Sequence, residues 1–341
     1  MRSNISSNLS RNVCTALVAV LLLALSALVS LCVGPSSASF ADVLSLVCGR
    51  SVAPAVCNVI VNIRIPRVLA AVLAGAALAV SGALIQAVLD NPLASPSVIG
   101  INSGAGLAVL AISACPAFIN DPPRELLPLA AFAGALAAAG IIFAISARTG
   151  VSRLTVVLAG VAVNAVAGAG TNAVLIFAPT VYVGSSSYLV GGFLGVLLRN
   201  LAVPAVLVVA GVAAACLLAP HLNVLSLGSE SAHGLGMHVV LVRLVTLAIA
   251  ALLAAAAVSF GGLISFVGLM VPHAIRRFAG HDNRHVVPLC AISGAAFVLI
   301  ADTAARTLFV PYELPVGILL SLLGGPFFIY LIMAKKGFRD E

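Results

Sequence analysis

Residues 63–106 read IRIPRVLAAVLAGAALAVSGALIQAVLDNPLASPSVIGINSGAG, and the run from 68 to 89 carries no charged residue. Such a run is long enough to cross the roughly 30 Å hydrocarbon core of a bilayer as a helix. Asp90-Asn91-Pro92 closes it, and Pro92 and Pro96 bar regular helix from the segment that follows. Irregular backbone at membrane depth is tolerated only where protein or a water-filled cavity covers it. The segment therefore reads either as the lining of a gate or as a simple turn between helices.

The rest of the chain has the same character. Of 341 residues 62% are hydrophobic and 8% charged, against about a quarter charged in soluble domains. That composition excludes a soluble globular surface. The apolar runs are long, continuous and rich in Leu, Ala, Val and Gly, where a barrel would need short alternating strands. The expected fold class is an all-α polytopic membrane protein.

Ten candidate spans follow: 13–33, 68–89, 99–116, 127–147, 154–178, 200–220, 240–260, 262–276, 286–305 and 315–334. The run 262–276 is short for a full crossing, and Ser187 to Leu198 reads as a partly embedded helix. The first run follows Arg2 and Arg11 and precedes PSSAS, so it reads as a retained helix or as a cleaved signal sequence. Both place the N-terminus in the cytoplasm. Residues 1–12 and 336–341 are then cytoplasmic ends of one membrane domain spanning 13–335.

Charge tests this topology. Eleven of the 17 basic residues fall on the assigned inner side: Arg2, Arg11, Arg148, Arg153, Arg243, Arg276, Arg277, Arg284, Lys335, Lys336 and Arg339. Arg50, Arg64, Arg67, Arg124, Arg199 and Arg306 remain outside. The bias obeys the positive-inside rule, so the net charge of +7 reports orientation and not nucleic-acid binding.

Seven cysteines lie mostly in apolar runs, where a free thiol behaves as a small hydrophobe. Cys48 and Cys57 fall in the polar stretch after the first span, and a disulfide between them is one expectation. No Cys/His spacing suggests a metal site. AVSGALIQ (79–86) echoes AVSFGGLIS (257–265), which suits an inverted repeat or simple compositional coincidence. Asn164, Thr171 and Asn172 are candidate pathway-lining residues, because Asn within a span is costly unless paired or wetted. Asp302, four residues before Arg306, reads as a proton-relay acid or, more economically, as its i,i+4 partner.

Two further stretches, GGLISFVGLMVPHAIRRFAGHDNRH (261–285) and ADTAARTLFVPYELPVGILLSLLGGPFFIYLI (301–332), join residues 63–106 in carrying a family resemblance. In order and spacing the sequence is similar to the permease subunits of binding-protein-dependent ABC importers for ferric siderophores, haem and vitamin B12. The resemblance covers residues 13–335. It implies a dimer with the path at its interface, two cytoplasmic ATPase subunits and a substrate-binding protein outside, in the cytoplasmic (inner) membrane. Among cargoes, an iron(III)-siderophore complex comes first, then haem, then cobalamin.

By the same resemblance, Arg64, Arg67 and Arg306 are exposed cations that receive acidic residues of the binding protein, and Asn91 and Leu93 narrow the cytoplasmic end of the path. The segment HLNVLSLGSESAHGLGMHVV (221–240) matches the coupling helices, placing Leu227, Gly228, Glu230, Ala232, Leu235 and Gly236 at the ATPase. Ser229 is expected to N-cap a short helix through His233, with Gly234 and Gly236 ending it. Leu225, Leu227, Leu235 and Met237 argue against a fully solvated loop. The only lysines are Lys335 and Lys336, so no Walker A motif is present and ATP-Mg belongs to a partner chain. This chain itself is expected to bind no cofactor and no metal. The rival classes lack their parts: an ion-coupled transporter needs more buried acids than Asp302, and Ser259 or Ser265 near His273 lacks a group to orient a base for hydrolysis.

Overall fold

A computed structural model describes residues 2–34, 39–50, 52–115, 125–149, 152–310 and 312–336. Arg124 and Arg339, counted above in the charge bias, lie outside them. The described residues are helical, without strands. In order the helices are α1 Arg2–Cys32, α2 Phe40–Val47, α3 Pro54–Val59, α4 Ile65–Leu89, α5 Ile101–Ser113, α6 Leu126–Thr149 and α7 Arg153–Phe177. There follow α8 Val181–Val190, α9 Leu198–Leu225, α10 Ser229–Gly234, α11 Val239–Gly261, α12 Val267–Ala279, α13 Asn283–Thr307 and α14 Val316–Lys336.

Each of the ten expected spans has a helix. Seven helical stretches among the described residues are long and apolar enough to cross a membrane. The others, α5, α12 and α14 (apolar over Val316–Leu331), are shorter. The second span begins earlier than expected: α3, a π-helical turn at Ile60–Arg64 and α4 form one run of 36 residues from Pro54 to Leu89. The partly embedded helix also lies earlier, as α8, and the backbone from Gly191 to Leu197 is irregular because Gly191 takes a non-helical conformation there. The echo between 79–86 and 257–265 does not extend to local structure. The first segment lies wholly within α4, and the second leaves α11 at Gly262.

Helix α4 occupies the centre, with α13, α12, α11 and α9 around it. Most of its residues are buried, and they are chiefly Ala, Gly and Val. The reason is geometric. A Cβ on Gly75 would fall 2.2 Å from the Gly294 carbonyl oxygen of α13, and one on Gly82 would fall 1.9 Å from that of Gly268 in α12. Neighbouring backbones thus touch α4 directly, which lipid-embedded helices need because lipid tails provide no hydrophobic drive between them. Ser81 donates to the Ala250 carbonyl of α11 at 2.6 Å, satisfying its hydroxyl in the core.

Helix α1 packs outermost, along α13. Its two ends meet different groups. Arg11 Nη2 comes within 3.5 Å of the position a Cβ on Gly280 would take, at the end of α12, whereas Ser30 meets Arg306. These points are about 28 Å apart along α1, close to the thickness of a hydrocarbon core. Cys48, which ends α2, and Cys57 in α3 are both free thiols, so the expected disulfide is not formed.

The Gly82 contact admits no flexible neighbour to yield, since its obstacle is backbone. Gly82→Ala is expected to lower the melting temperature of the purified protein by the equivalent of about 1–3 kcal/mol or more. Gly140→Ala, where nothing lies within 4 Å, should leave it unchanged. Equal melting of the two variants would refute the close-approach account.

Candidate functional site

One end of the bundle holds a buried charge cluster. Arg67 Nε and Nη2 donate to the two carboxylate oxygens of Asp302 at 2.8 and 3.1 Å, and Nη1 donates to Glu313 at 2.5 Å. The planar guanidinium fork suits this bidentate pairing. Arg306 donates to the hydroxyl of Ser30 at 2.6 Å and to its carbonyl, and Arg64 donates to the Leu31 carbonyl at 2.6 Å. The last carbonyls of a helix lack intrahelical donors and carry the negative end of its dipole. Two guanidinium groups therefore complete the end of α1.

This corrects two expectations. Arg64, Arg67 and Arg306 are 2%, 5% and 3% exposed, not surface cations. The end of α1 and the α13–α14 connection cover them, and Gly34 lies against the guanidinium groups of Arg306 and Arg64. Asp302 pairs with Arg67 across helices, because Arg306 is drawn to α1. Glu313 and Ser30 were invisible as members of this cluster. Arg67 lies 235 and 246 residues from its two carboxylates, and no periodicity links such positions.

Beside Arg67 and Glu313 a cavity of about 160 Å³ leads to a second feature, where three breaks in the helices meet. Gly192 N–H donates to the Gly261 carbonyl at 2.8 Å, Leu263 N–H to Tyr188 at 3.1 Å and Gly317 N–H to Gly191 at 3.0 Å. Tyr188 adds its hydroxyl to the Val258 carbonyl at 3.0 Å. The irregular segments 191–197 and 262–266 thus satisfy each other and the start of α14, as backbone at membrane depth must. Below them lies a cavity of about 640 Å³ whose polar groups are Asn102, Ser265 and Ser321, set among Leu263, Ile318 and Leu322.

The expected lining residues lie away from this cavity. Asn164 accepts from Ser103 and donates to the Ser97 carbonyl at 3.2 Å, so it ties α7 to the turn before α5. Thr171 is half-buried and Asn172 exposed on α7, and neither lines this cavity. Asn102 and Ser321 carry no signal in the sequence, and Ser265 stood out only as a hydroxyl near His273, because single Ser and Asn residues are common in such helices. Only the breaks bring these three together.

At the opposite end, the irregular backbone expected after Asp90 is present. Asp90 is left-handed (φ 44°), and Pro96–Ile99 forms a 3-10 turn. The Asn91 side chain accepts from Leu93 N–H at 3.0 Å, and buried Gln86 donates to the Ala94 and Gly268 carbonyls at 3.3 and 3.2 Å. Asn91 is exposed and Leu93 half-buried there.

The short helix α10 lies where expected, but Gly228, at φ 99°, occupies its N-cap position with no side-chain cap. Ser229 is instead the first helical residue and accepts from Arg243 at 2.8 Å. Ala232 is buried beneath the helix, Leu225 is buried at the end of α9, and Glu230 and Gly236 are exposed. Leu227 and Leu235 flank α10 at 62% and 68% exposure. Nearby, Asn223 donates to Asp282 at 2.6 Å and accepts from Asn283. Burial pushes the Asp282 carboxyl upward, but the Asn223 bond and the Arg284 N–H outweigh it and hold it below the usual carboxylate range.

Apolar helices long enough to cross a bilayer, holding broken backbone around a cavity of hydroxyls and one amide, define a multi-pass membrane protein. The chain belongs to the FecCD transport family, whose sequence model it matches over residues 22–334. It is 41% identical to the hemin transport system permease protein HmuU of Yersinia pestis, over 94% of this chain and 96% of that protein. It is 40% identical to the cobalamin import system permease protein BtuC of Halobacterium salinarum (83% and 76% covered). Identity to the Fe(3+)-citrate import system permease protein YfmE of Bacillus subtilis is 37% (80% and 81% covered). A solved metal-chelate type ABC transporter in an inward-facing conformation superposes with TM-score 0.79 at 26% identity, covering 93% of this chain and 97% of that one. The chain is accordingly an ABC importer permease, a transport subunit and not an enzyme.

Removing one member of a buried ion pair strands the other. Asp302→Asn and Arg67→Met are each expected to destabilise the purified protein by about 3–5 kcal/mol. The double variant Arg67→Met/Asp302→Asn should lose less than the two singles combined. Strict additivity in thermal unfolding would show that the pair is not coupled.

Proposed function

We propose that this chain carries an iron(III)-siderophore complex across the cytoplasmic membrane, as one of two permease subunits with the path at their interface. The observation that carries the reading is the 640 Å³ cavity whose polar lining is neutral. A siderophore already saturates its iron and presents amide and hydroxyl edges, so neutral donors and acceptors suffice to pass it along. Haem is the second reading, favoured by the hemin transport relative that matches nearly the whole chain.

In this reading ATP and Mg²⁺ are bound by two separate cytoplasmic ATPase subunits. Leu227, Gly228, Glu230, Leu235 and Gly236 meet them, with exposed Leu227 and Leu235 as the apolar anchors, whereas Ala232, expected at the same contact, is buried and instead seats α10 on the bundle. A substrate-binding protein docks at the opposite end, on Arg64, Arg67 and Arg306. Because these are held internally, docking proceeds by exchange: an incoming carboxylate takes the place of Glu313, the more exposed partner of Arg67. Asn91 and Leu93 narrow the path at the ATPase end, and Asn172 and Thr171 face it from α7. Both termini lie on the cytoplasmic side.

Uptake of radiolabelled ferric siderophore, haem and cobalamin into cells deleted for this chain identifies the cargo. Loss of siderophore uptake alone, restored by the wild-type chain, is the expected result, and loss of haem uptake alone would select the second reading. Independence of all three would overturn both. Leu227→Asp/Leu235→Asp should leave the protein folded but abolish co-purification of the ATPase and reduce uptake at least about tenfold, the effect of some 1.4 kcal/mol. Undiminished co-purification would remove α10 from that interface.

A further inference from the structure

Away from the path, α1, α12 and α13 enclose a groove of about 680 Å³ walled by Val18, Ala19, Leu22, Ala274, Ile275 and Phe278. Arg11 forms one end, and its guanidinium reaches across to Gly280 at the close of α12. Among the described residues no carboxylate pairs with Arg11. The acid nearest in sequence to Gly280, Asp282, is engaged by Asn223, the Arg284 N–H and His285. Arg277 is exposed in the last turn of α12 and adds positive charge there. From Arg11 to Leu22 the groove runs about 16 Å along α1, half of the roughly 30 Å hydrocarbon core. Beyond Leu22 a second groove of about 400 Å³ continues between α1 and α13, and its lining holds no charged residue.

A slot one leaflet deep, whose walls are apolar but for the hydroxyls of Thr15 and Ser293 and which is cationic only at its mouth, matches the shape and charge of a single lipid. We propose that this groove binds an anionic phospholipid of the leaflet at the Arg11 end, with the guanidinium on the phosphodiester and an acyl chain along Val18, Ile275 and Leu22. Arginine suits the role because it stays charged and can pair with two phosphate oxygens. The lipid seats α1, otherwise the least buried span, against the bundle.

Native mass spectrometry of the detergent-purified full chain, titrated with phosphatidylglycerol or phosphatidylcholine, tests this. The wild type is expected to retain phosphatidylglycerol roughly fivefold better, the effect of one arginine near an anionic headgroup. Arg11→Gln should erase that preference while leaving the lipid-free melting temperature unchanged, since Arg11 is exposed. Arg50→Gln, an exposed cation on the opposite side, should keep the preference. Val18→Trp, which obstructs the slot from a half-exposed position, should weaken both lipids. Equal retention of the two lipids, a preference that survives Arg11→Gln, or displacement of phosphatidylglycerol by inorganic phosphate alone would overturn the proposal.

Discussion

Everything in this bundle depends on α4 running through the middle of it with almost no side-chain volume on two of its faces. At Gly75 and Gly82 the backbone of α4 meets the backbones of α13 and α12, and a single methyl group would collide with a carbonyl oxygen. In water such closeness would be one packing solution among many. In lipid, where the surroundings are as apolar as any Leu side chain, intimate backbone contact is a main source of helix association. The Ala and Gly content of α4 is thus its adhesive surface, and it leaves little tolerance for volume.

That centre makes the other features possible. With α4, α11 and α13 locked, the ends of α8, α11 and the start of α14 can depart from helix without exposing amides to lipid. They satisfy each other around Tyr188, Gly191 and Gly261. The same lock brings Arg67 of α4 to Asp302 of α13 and to Glu313 beyond it. A buried ion pair is weak evidence of net stability, because desolvation offsets much of its attraction, but it penalises any arrangement in which a partner is missing. Here it specifies how α4 and α13 align at that end.

Much of the fold was legible. Ten apolar runs stand as ten helices, since the length needed to cross a bilayer is written directly in uninterrupted sequence. Pro92 and Pro96 announced irregular backbone, and the polar segment around Ser229 announced a short helix. The errors were of detail: Ser229 yields the cap position to Gly228, whose positive φ suits the abrupt entry from Leu227. The candidate site was less legible. Charged residues near span ends resemble surface cations in a linear reading, yet Arg64, Arg67 and Arg306 are enclosed by a helix end and a loop that come from elsewhere in the chain.

The sequence by itself determined the solvent this protein lives in, the order of its ten apolar helices, and the break at Pro92 and Pro96, because each follows from local composition and steric limits acting within a few turns. Only the tertiary structure decided the partners. That Asp302 holds Arg67 and not Arg306, that Asn164 ties α7 to the turn before α5, and that Asn102, Ser265 and Ser321 share one cavity all depend on which helix faces meet. Hydrogen bonds and ion pairs act over about 3 Å, and positions hundreds of residues apart reach that distance only once the small-residue contacts of α4 have set the packing.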